Sequence, residues 1–275
     1  MRTLTVEQKI YYTLRIAVAM CFLGHGLFGL ITKSIWCNYF AVFGIGHDVA
    51  YRLMPLVGAV DICLGIVMLA YPVRAIAAWL VIWGIITALL RPLSGEPLAE
   101  FIERAGNFGA PLALLMITGS AATLKGWFTK IDSLKKADCF NLAKLLFLLR
   151  MIGFLLLLGH GWLNLVEKNS LINQYAALGF SNPVTISHLI GIAEVFAAFA
   201  VVFSRVRPVL LILFVWKITS ELFYPHYELV EWIERGGSYG VLLALWFAFG
   251  KHTTTEPVIN NVRGPGAMNE LAISI

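Results

Sequence analysis

Hydrophobic positions gather into eight long runs, with short polar stretches between them. They lie at about 11–31, 53–71, 73–91 and 101–121, then 143–165, 187–204, 206–224 and 231–250. As a helix rising about 1.5 Å per residue, each run suffices to cross a hydrocarbon layer about 30 Å thick. The pattern predicts an all-α, polytopic membrane protein with eight transmembrane helices, none of them broken. Tight basic turns join the second run to the third, around Arg74, and the sixth to the seventh, at Arg205 and Arg207.

The eight runs read as two copies of four. Gly24-His25-Gly26, near the outer end of the first run, returns as Gly159-His160-Gly161. Leu14-Arg15 aligns with Leu149-Arg150, Asp61 with Glu194, Arg74 with Arg207, Trp83 with Trp216 and Pro92 with Pro225. The fourth runs open alike, as Glu100-Phe101-Ile102-Glu103-Arg104 and Glu231-Trp232-Ile233-Glu234-Arg235. Two parallel four-helix bundles are expected, over 11–121 and 143–250, with a basic linker at 122–142 and a polar tail at 251–275. The linker carries Lys125, Lys130, Lys135 and Lys136 with Asp132 and Asp138, and reads as a cytoplasmic connector with an interfacial helix. An even number of spans per copy orients both copies the same way, about a pseudo-twofold axis along the membrane normal. That disfavours an inverted-repeat transporter.

Composition agrees with the pattern. A hydrophobic share of 59% against 13% charged lies outside the soluble globular range, and the net charge of +5 is better read as topology than as nucleic-acid binding. Lysine and arginine concentrate on the side of the termini (Arg2, Lys9, Arg15, Arg74, the linker lysines, Arg150, Arg207), so both termini are expected in the cytoplasm. Met1 to Tyr12 lead straight into the first run, which reads as a retained span and not as a signal peptide. Cys21, Cys37, Cys63 and Cys139 form no C-x-x-C pair, which disfavours thiol–disulfide chemistry. Cys21 and Cys63 fall inside apolar runs, where a thiol is ordinarily a small buried hydrophobe.

An ionisable side chain in hydrocarbon is costly and points to function. At the helical rise, His25, Asp61, Glu103, Arg104 and Asn107 converge in the outer half of the first copy, with Thr87 and Arg91 on its third helix. His160, Glu194, Glu234, Arg235, Ser238 and Tyr239 do so in the second. Each histidine has three readings: a buried ring bonded to a carboxylate, a contact to a bound small molecule, or a metal or haem ligand. Asp61 and Glu194 suit either a proton relay or a static clamp between helices. Glu103-Arg104 and Glu234-Arg235 read as interfacial ion pairs or as arginine forks at a pocket mouth. Lys217, opposite Gly84, needs Glu194 or Glu221 as partner if it faces inward, and the asymmetry suggests that one copy alone is active. Motifs for zinc proteolysis, nucleotide binding and serine hydrolysis are absent. Haem would need His25 with His160, or the weaker pairs His25–His47 and His160–His188.

The arginine that opens the first helix, the glycine-flanked motif at its outer end, the Gly-x-x-(Asp/Glu) of the second helix and the basic turn after it resemble the DoxX/DoxD-like membrane proteins. The resemblance covers about 11–121 and 143–250 and rests on Arg15/Arg150, Asp61/Glu194 and Arg74/Arg207. The family's first helix often carries other residues where this chain has Gly-His-Gly, so no role passes to the histidines. Some relatives are subunits of thiosulfate:quinone oxidoreductase. The resemblance thus implies a multi-pass protein of the bacterial inner membrane near quinone chemistry and electron transport, with other membrane or periplasmic redox subunits as partners.

Four functions follow. The first is a redox-associated subunit binding a quinone-like amphipathic ligand in the outer half of its bundles. A histidine would donate to a carbonyl oxygen there, and Asp61 or Glu194 would relay the proton. The second is a cofactor-free assembly or scaffold subunit of a larger membrane complex. The third is a haem-binding electron carrier using His25 and His160. The fourth, export of a lipid or small solute, is disfavoured by the parallel repeat and by the absence of broken helices.

Overall fold

A computed structural model describes residues 4–119, 121–131, 139–203, 206–223 and 228–254. Arg205, Pro225, the linker residues Asp132, Lys135, Lys136 and Asp138, and the tail from 255 lie outside the described residues. The described chain is helical, and its sole extended pairing is an isolated bridge between Val73 and Lys130.

In the first half, α1 (Val6–Leu30), the short α2 (Trp36–Ala41), α3 (His47–Ala70) and α4 (Arg74–Leu93) are followed by α5 (Leu98–Glu103) and α6 (Ala105–Thr118). After α7 (Leu124–Phe128) comes the same order again: α8 (Cys139–Leu165), α9 (Asn169–Ala177), α10 (Pro183–Phe203), α11 (Arg207–Ser220), α12 (Glu228–Glu234) and α13 (Gly236–Thr254). Five helices, α1, α3, α4, α8 from Leu142, and α10, are long and apolar enough to cross a membrane. At 14 residues each, α6 and α11 reach only about 21 Å. The fourth apolar run of each half is broken, contrary to expectation, at Arg104 and at Arg235. Each arginine sits in a turn whose carbonyl accepts the N–H three residues on, Asn107 at 2.9 Å and Ser238 at 2.9 Å.

Local chemistry sets the helix ends. Thr5 and Gln8 cap α1 reciprocally, by Gln8 N–H to Thr5 Oγ1 at 3.3 Å and Thr5 N–H to Gln8 Oε1 at 3.0 Å. At the other end Thr32 takes a left-handed conformation, φ 52°, and the Lys33 N–H reaches back to Phe28 O at 3.1 Å. Glu167, φ 58°, ends α8 in the same way, with Lys168 N–H to Leu163 O at 3.1 Å. Carbonyls left over at the C-terminal ends are met by arginines. Arg15 donates to Met68 O at 2.8 Å and to Leu69 O, Arg150 to Val202 O at 3.0 Å, and Arg74 to Gly119 O at 2.8 Å and Thr118 O at 3.0 Å.

The helices share one core. α1 packs most closely on α3 and on α13 of the other half, and α8 on α10 and on α5 and α6. Ile10, Leu14 and Leu114 belong to the same buried cluster as Leu145, Leu149, Leu242 and Leu245. Two separately packed bundles are therefore not what forms; the first helix of each half leans on the fourth helix of the other. Around this core the outward faces are apolar, with Leu56, Ile66, Phe196, Phe203 and Ile212 exposed. Water would penalise such a surface, whereas hydrocarbon accepts it.

Candidate functional site

The Gly-His-Gly triplets stand at the crossings of this core. Residues on either side of a helical position point about 200° apart. Gly24 therefore faces the backbone of Glu234 in the other half, while Gly26 faces the carbonyl of Gly58 in α3. A methyl on Gly26 would lie 2.5 Å from Gly58 O, and one on Gly29 2.7 Å from the Gly58 Cα. Gly159 abuts the backbone of Glu103, and Gly161 that of Gly191, in the same manner. Close approach on both flanks carries the central histidine against its own second helix. His25 Nδ1 lies 2.6 Å from Asp61 Oδ2, and His160 Nδ1 is bonded to Glu194 Oε2. Imidazole and carboxylate meet in both halves.

A slot of about 640 Å³, counting its open mouth, lies beside His25. Its walls come from α2 (Trp36, Tyr39, Phe40), from α4 (Trp83, Thr87, Leu90, Arg91), from Arg104 and Asn107, and from Glu234 of the other half. Trp36 covers His25, with ring centroids 4.6 Å apart. The contribution of α2 had a signal in the sequence: Trp36, Tyr39, Phe40 and Phe43 follow the i, i+3, i+4, i+7 spacing of one helix face. In the second half Leu171, Gln174, Tyr175 and Leu178 repeat that spacing on α9, and the last three line a pocket beside His160.

A wide charged vestibule adjoins the slot, and His25 lines both. Its walls carry Lys33, Arg91, Glu100, Arg104, Lys168, Glu231 and Arg235 among others, and these are paired. Glu100 meets Lys168 at 2.5 Å, Arg104 at 2.8 Å and Arg91 at 3.2 Å; Lys33 meets Glu231 at 2.6 Å. Deeper in, Glu103 binds Arg104 at 3.1 Å and Arg235 across the halves. Arg104 and Arg235 are buried between the halves, 6% and 3% exposed, and both line the vestibule.

Burial opposes the ionisation of Glu100, but Arg104, Lys168 and Arg91 outweigh it, and its carboxyl is lowered to about 2 from an ordinary 4.5. A folded-state value below the unfolded one contributes stability that is complete above pH 4.5 and is lost as the pH falls toward 2. The melting temperature of Glu100→Gln is accordingly expected to fall less steeply than that of the wild type between pH 5 and 2. Parallel melting curves across that window check it; equal slopes refute it.

The second half differs at three points. Asn164 replaces Gly29, and its amide donates to His160 O at 3.1 Å while its oxygen accepts from Tyr175 at 2.7 Å and Ser187 at 3.1 Å. Glu194, one methylene longer than Asp61, also accepts from Trp216 Nε1 at 3.2 Å. Lys217 faces inward with no exposure, and its partner is Glu221 at 2.7 Å.

Of the expected site residues, His25, Arg104, Asn107 and Glu234 line the slot, Arg235 lines the vestibule, and His160 lines the second pocket. Asp61, Glu194 and Glu103 stand behind them as hydrogen-bond partners. Ser238 and Tyr239 lie away from all three pockets. Ser238 packs on Gly106 where the fourth helices cross, and the Tyr239 hydroxyl donates to Trp232 O. His25 and His160 line different pockets, while His47 is exposed and His188 half-buried. Glu103, His160 and Glu221 offer ligand atoms within 4.8 Å of one another, but Arg235 and Lys217 already pair with those carboxylates. Cys21 and Cys37 are buried and free; Cys63 is free and exposed, on the outward face of α3. No family model, curated protein or solved structure matches this chain.

Proposed function

We propose that this chain is a duplicated, eight-span protein of the DoxX/DoxD-like kind, with both termini cytoplasmic in a bacterial inner membrane, and that it binds a quinone-like amphipathic ligand in the slot of its first half. The observation that carries this reading is the position of His25, shared between an apolar, aromatic-walled slot and a charged vestibule and held by Asp61 at 2.6 Å. An amphipathic ring fits such a slot, where aromatic faces take its flat surface and a few polar groups orient it. With Nδ1 directed at Asp61, the other ring nitrogen is left for the ligand: protonated, it donates to a carbonyl oxygen, and unprotonated, it accepts from a hydroxyl. A proton taken up by His25 can pass to the vestibule without crossing hydrocarbon. Redox partners in or beside the membrane would complete the system.

Purification in mild detergent, with mass analysis of extracted small molecules, tests the reading directly. We expect a quinone to co-purify, and a short-chain benzoquinone to bind to the emptied protein. His25→Ala is expected to weaken that binding at least tenfold. Wild-type protein that neither carries nor binds a quinone sinks the proposal, as does unchanged binding by His25→Ala.

A second reading, a cofactor-free assembly subunit, is favoured by the buried ion pairs that tie the halves together, Glu103 to Arg235 above all. It predicts co-purifying membrane subunits, whose complex is lost on deletion, and no extractable small molecule. A haem-binding carrier would declare itself by an intense Soret band.

A further inference from the structure

The indole N–H of Trp83 is shielded from solvent and has no hydrogen-bond partner among the described residues. Native structures rarely leave a buried donor unmet, and each exception asks for a missing acceptor. Trp83 lines the slot beside His25. Its counterpart by sequence alignment, Trp216, lines the pocket beside His160, and there the N–H donates to Glu194 at 3.2 Å. Glutamate reaches the tryptophan; aspartate, shorter by one methylene, stays with its histidine.

Want of room does not set the second pocket apart, since it is the larger, about 750 Å³ against 640 Å³ with their mouths counted. Hydrogen bonding does. In the second, Glu194 is bonded to His160 Nδ1 and also takes up the indole N–H, and Gln174 donates to Ser220 O at 3.2 Å. In the first, His25 and Trp83 line one slot, Asp61 is bonded to the histidine, and the indole N–H has no partner among the described residues. A site built with an unmet donor favours ligands that bring an acceptor and rejects those that do not.

Resting on the reading above, we propose that Trp83 donates a hydrogen bond to a carbonyl-type oxygen of the ligand in the first-half slot, and that the second-half pocket, whose indole is already paired with Glu194, does not bind it. The chain then takes one ligand, and Asp61 in place of glutamate is what leaves the indole available. His25 and Trp83 together recognise a ring that presents oxygen.

The test uses the full chain in lipid nanodiscs and decyl-benzoquinone carrying ¹³C at its ring carbonyls. Binding is expected at one quinone per chain, with the carbonyl stretch lowered from its value in free quinone. Trp83→Phe should weaken binding about fivefold, the scale of one lost neutral hydrogen bond, and return the stretch toward the free value. Trp216→Phe should change neither. Should Trp83→Phe unfold, 3-benzothienylalanine at position 83 keeps the shape of tryptophan without its N–H and gives the same readouts. Wild-type affinity and an unmoved stretch in the Trp83 variants overturn this inference while leaving the slot as a quinone site. Two quinones per chain, or an equal loss in Trp216→Phe, overturns the asymmetry. No binding by wild type overturns the inference and the underlying reading together.

Discussion

Glu103→Ala is expected to destabilise the protein by about 3–5 kcal/mol, the range for removing one partner of a buried ion pair. Glu103 is 1% exposed and holds Arg235 of the other half through one oxygen and Arg104, at 3.1 Å, through the other. Without it the Arg235 guanidinium loses this carboxylate, while those of Glu234 and Glu221 stand farther off, at 3.6 Å and 3.9 Å. The loss therefore falls on the junction between the halves, where α8 crosses α5 and Gly159 touches the Glu103 backbone. Glu103→Gln, alike in shape but uncharged, should cost less than the alanine. Unfolding by titration with a denaturing detergent measures both. A cost under about 1 kcal/mol for alanine would mean that the pair behaves as an exposed surface bridge.

The second large effect is expected at Gly58. A methyl there would meet the carbonyl of Gly26 and lie 3.0 Å from the Gly29 Cα, and neither backbone atom can turn aside. Gly58→Leu should cost about 3 kcal/mol, the upper end for overpacking, with Gly58→Ala in between. Asp61 lies three residues beyond Gly58, and His25 beside Gly26, so forcing α1 from α3 also parts the imidazole from the carboxylate. Quinone binding should then fall by more than the stability loss alone explains. A Gly58→Leu protein of wild-type stability and affinity would show that the helices separate there without consequence.

Much of this was legible in the chain. The Gly-His-Gly triplets and the Gly-x-x-(Asp/Glu) motifs put small residues and one ionisable group at matching depths, so the His25–Asp61 and His160–Glu194 meetings could be anticipated. Lys217 was readable as needing Glu194 or Glu221 if it faced inward, and Glu221, four residues on, is the partner it meets. Glu103 and Arg104 were less so: adjacent in sequence, they read as an interfacial ion pair or as a fork at a pocket mouth, yet Glu103 also binds an arginine 132 positions away. The breaks at Arg104 and Arg235 were hidden as well, because hydropathy averages over a window and passes across a single turn. Ser238 and Tyr239 were placed by depth alone, and depth does not say which way a helix is rotated.

The sequence by itself determined an all-helical, membrane-type chain and the histidines and carboxylates worth attention. These are properties of local spacing and composition. Only the tertiary structure decided that the halves share one core, that α2 walls the slot, and that Trp216 has a partner where Trp83, among the described residues, has none. Such choices depend on where two backbones can touch and on whether a side chain is one methylene longer, and both are settled by packing between segments distant in the chain.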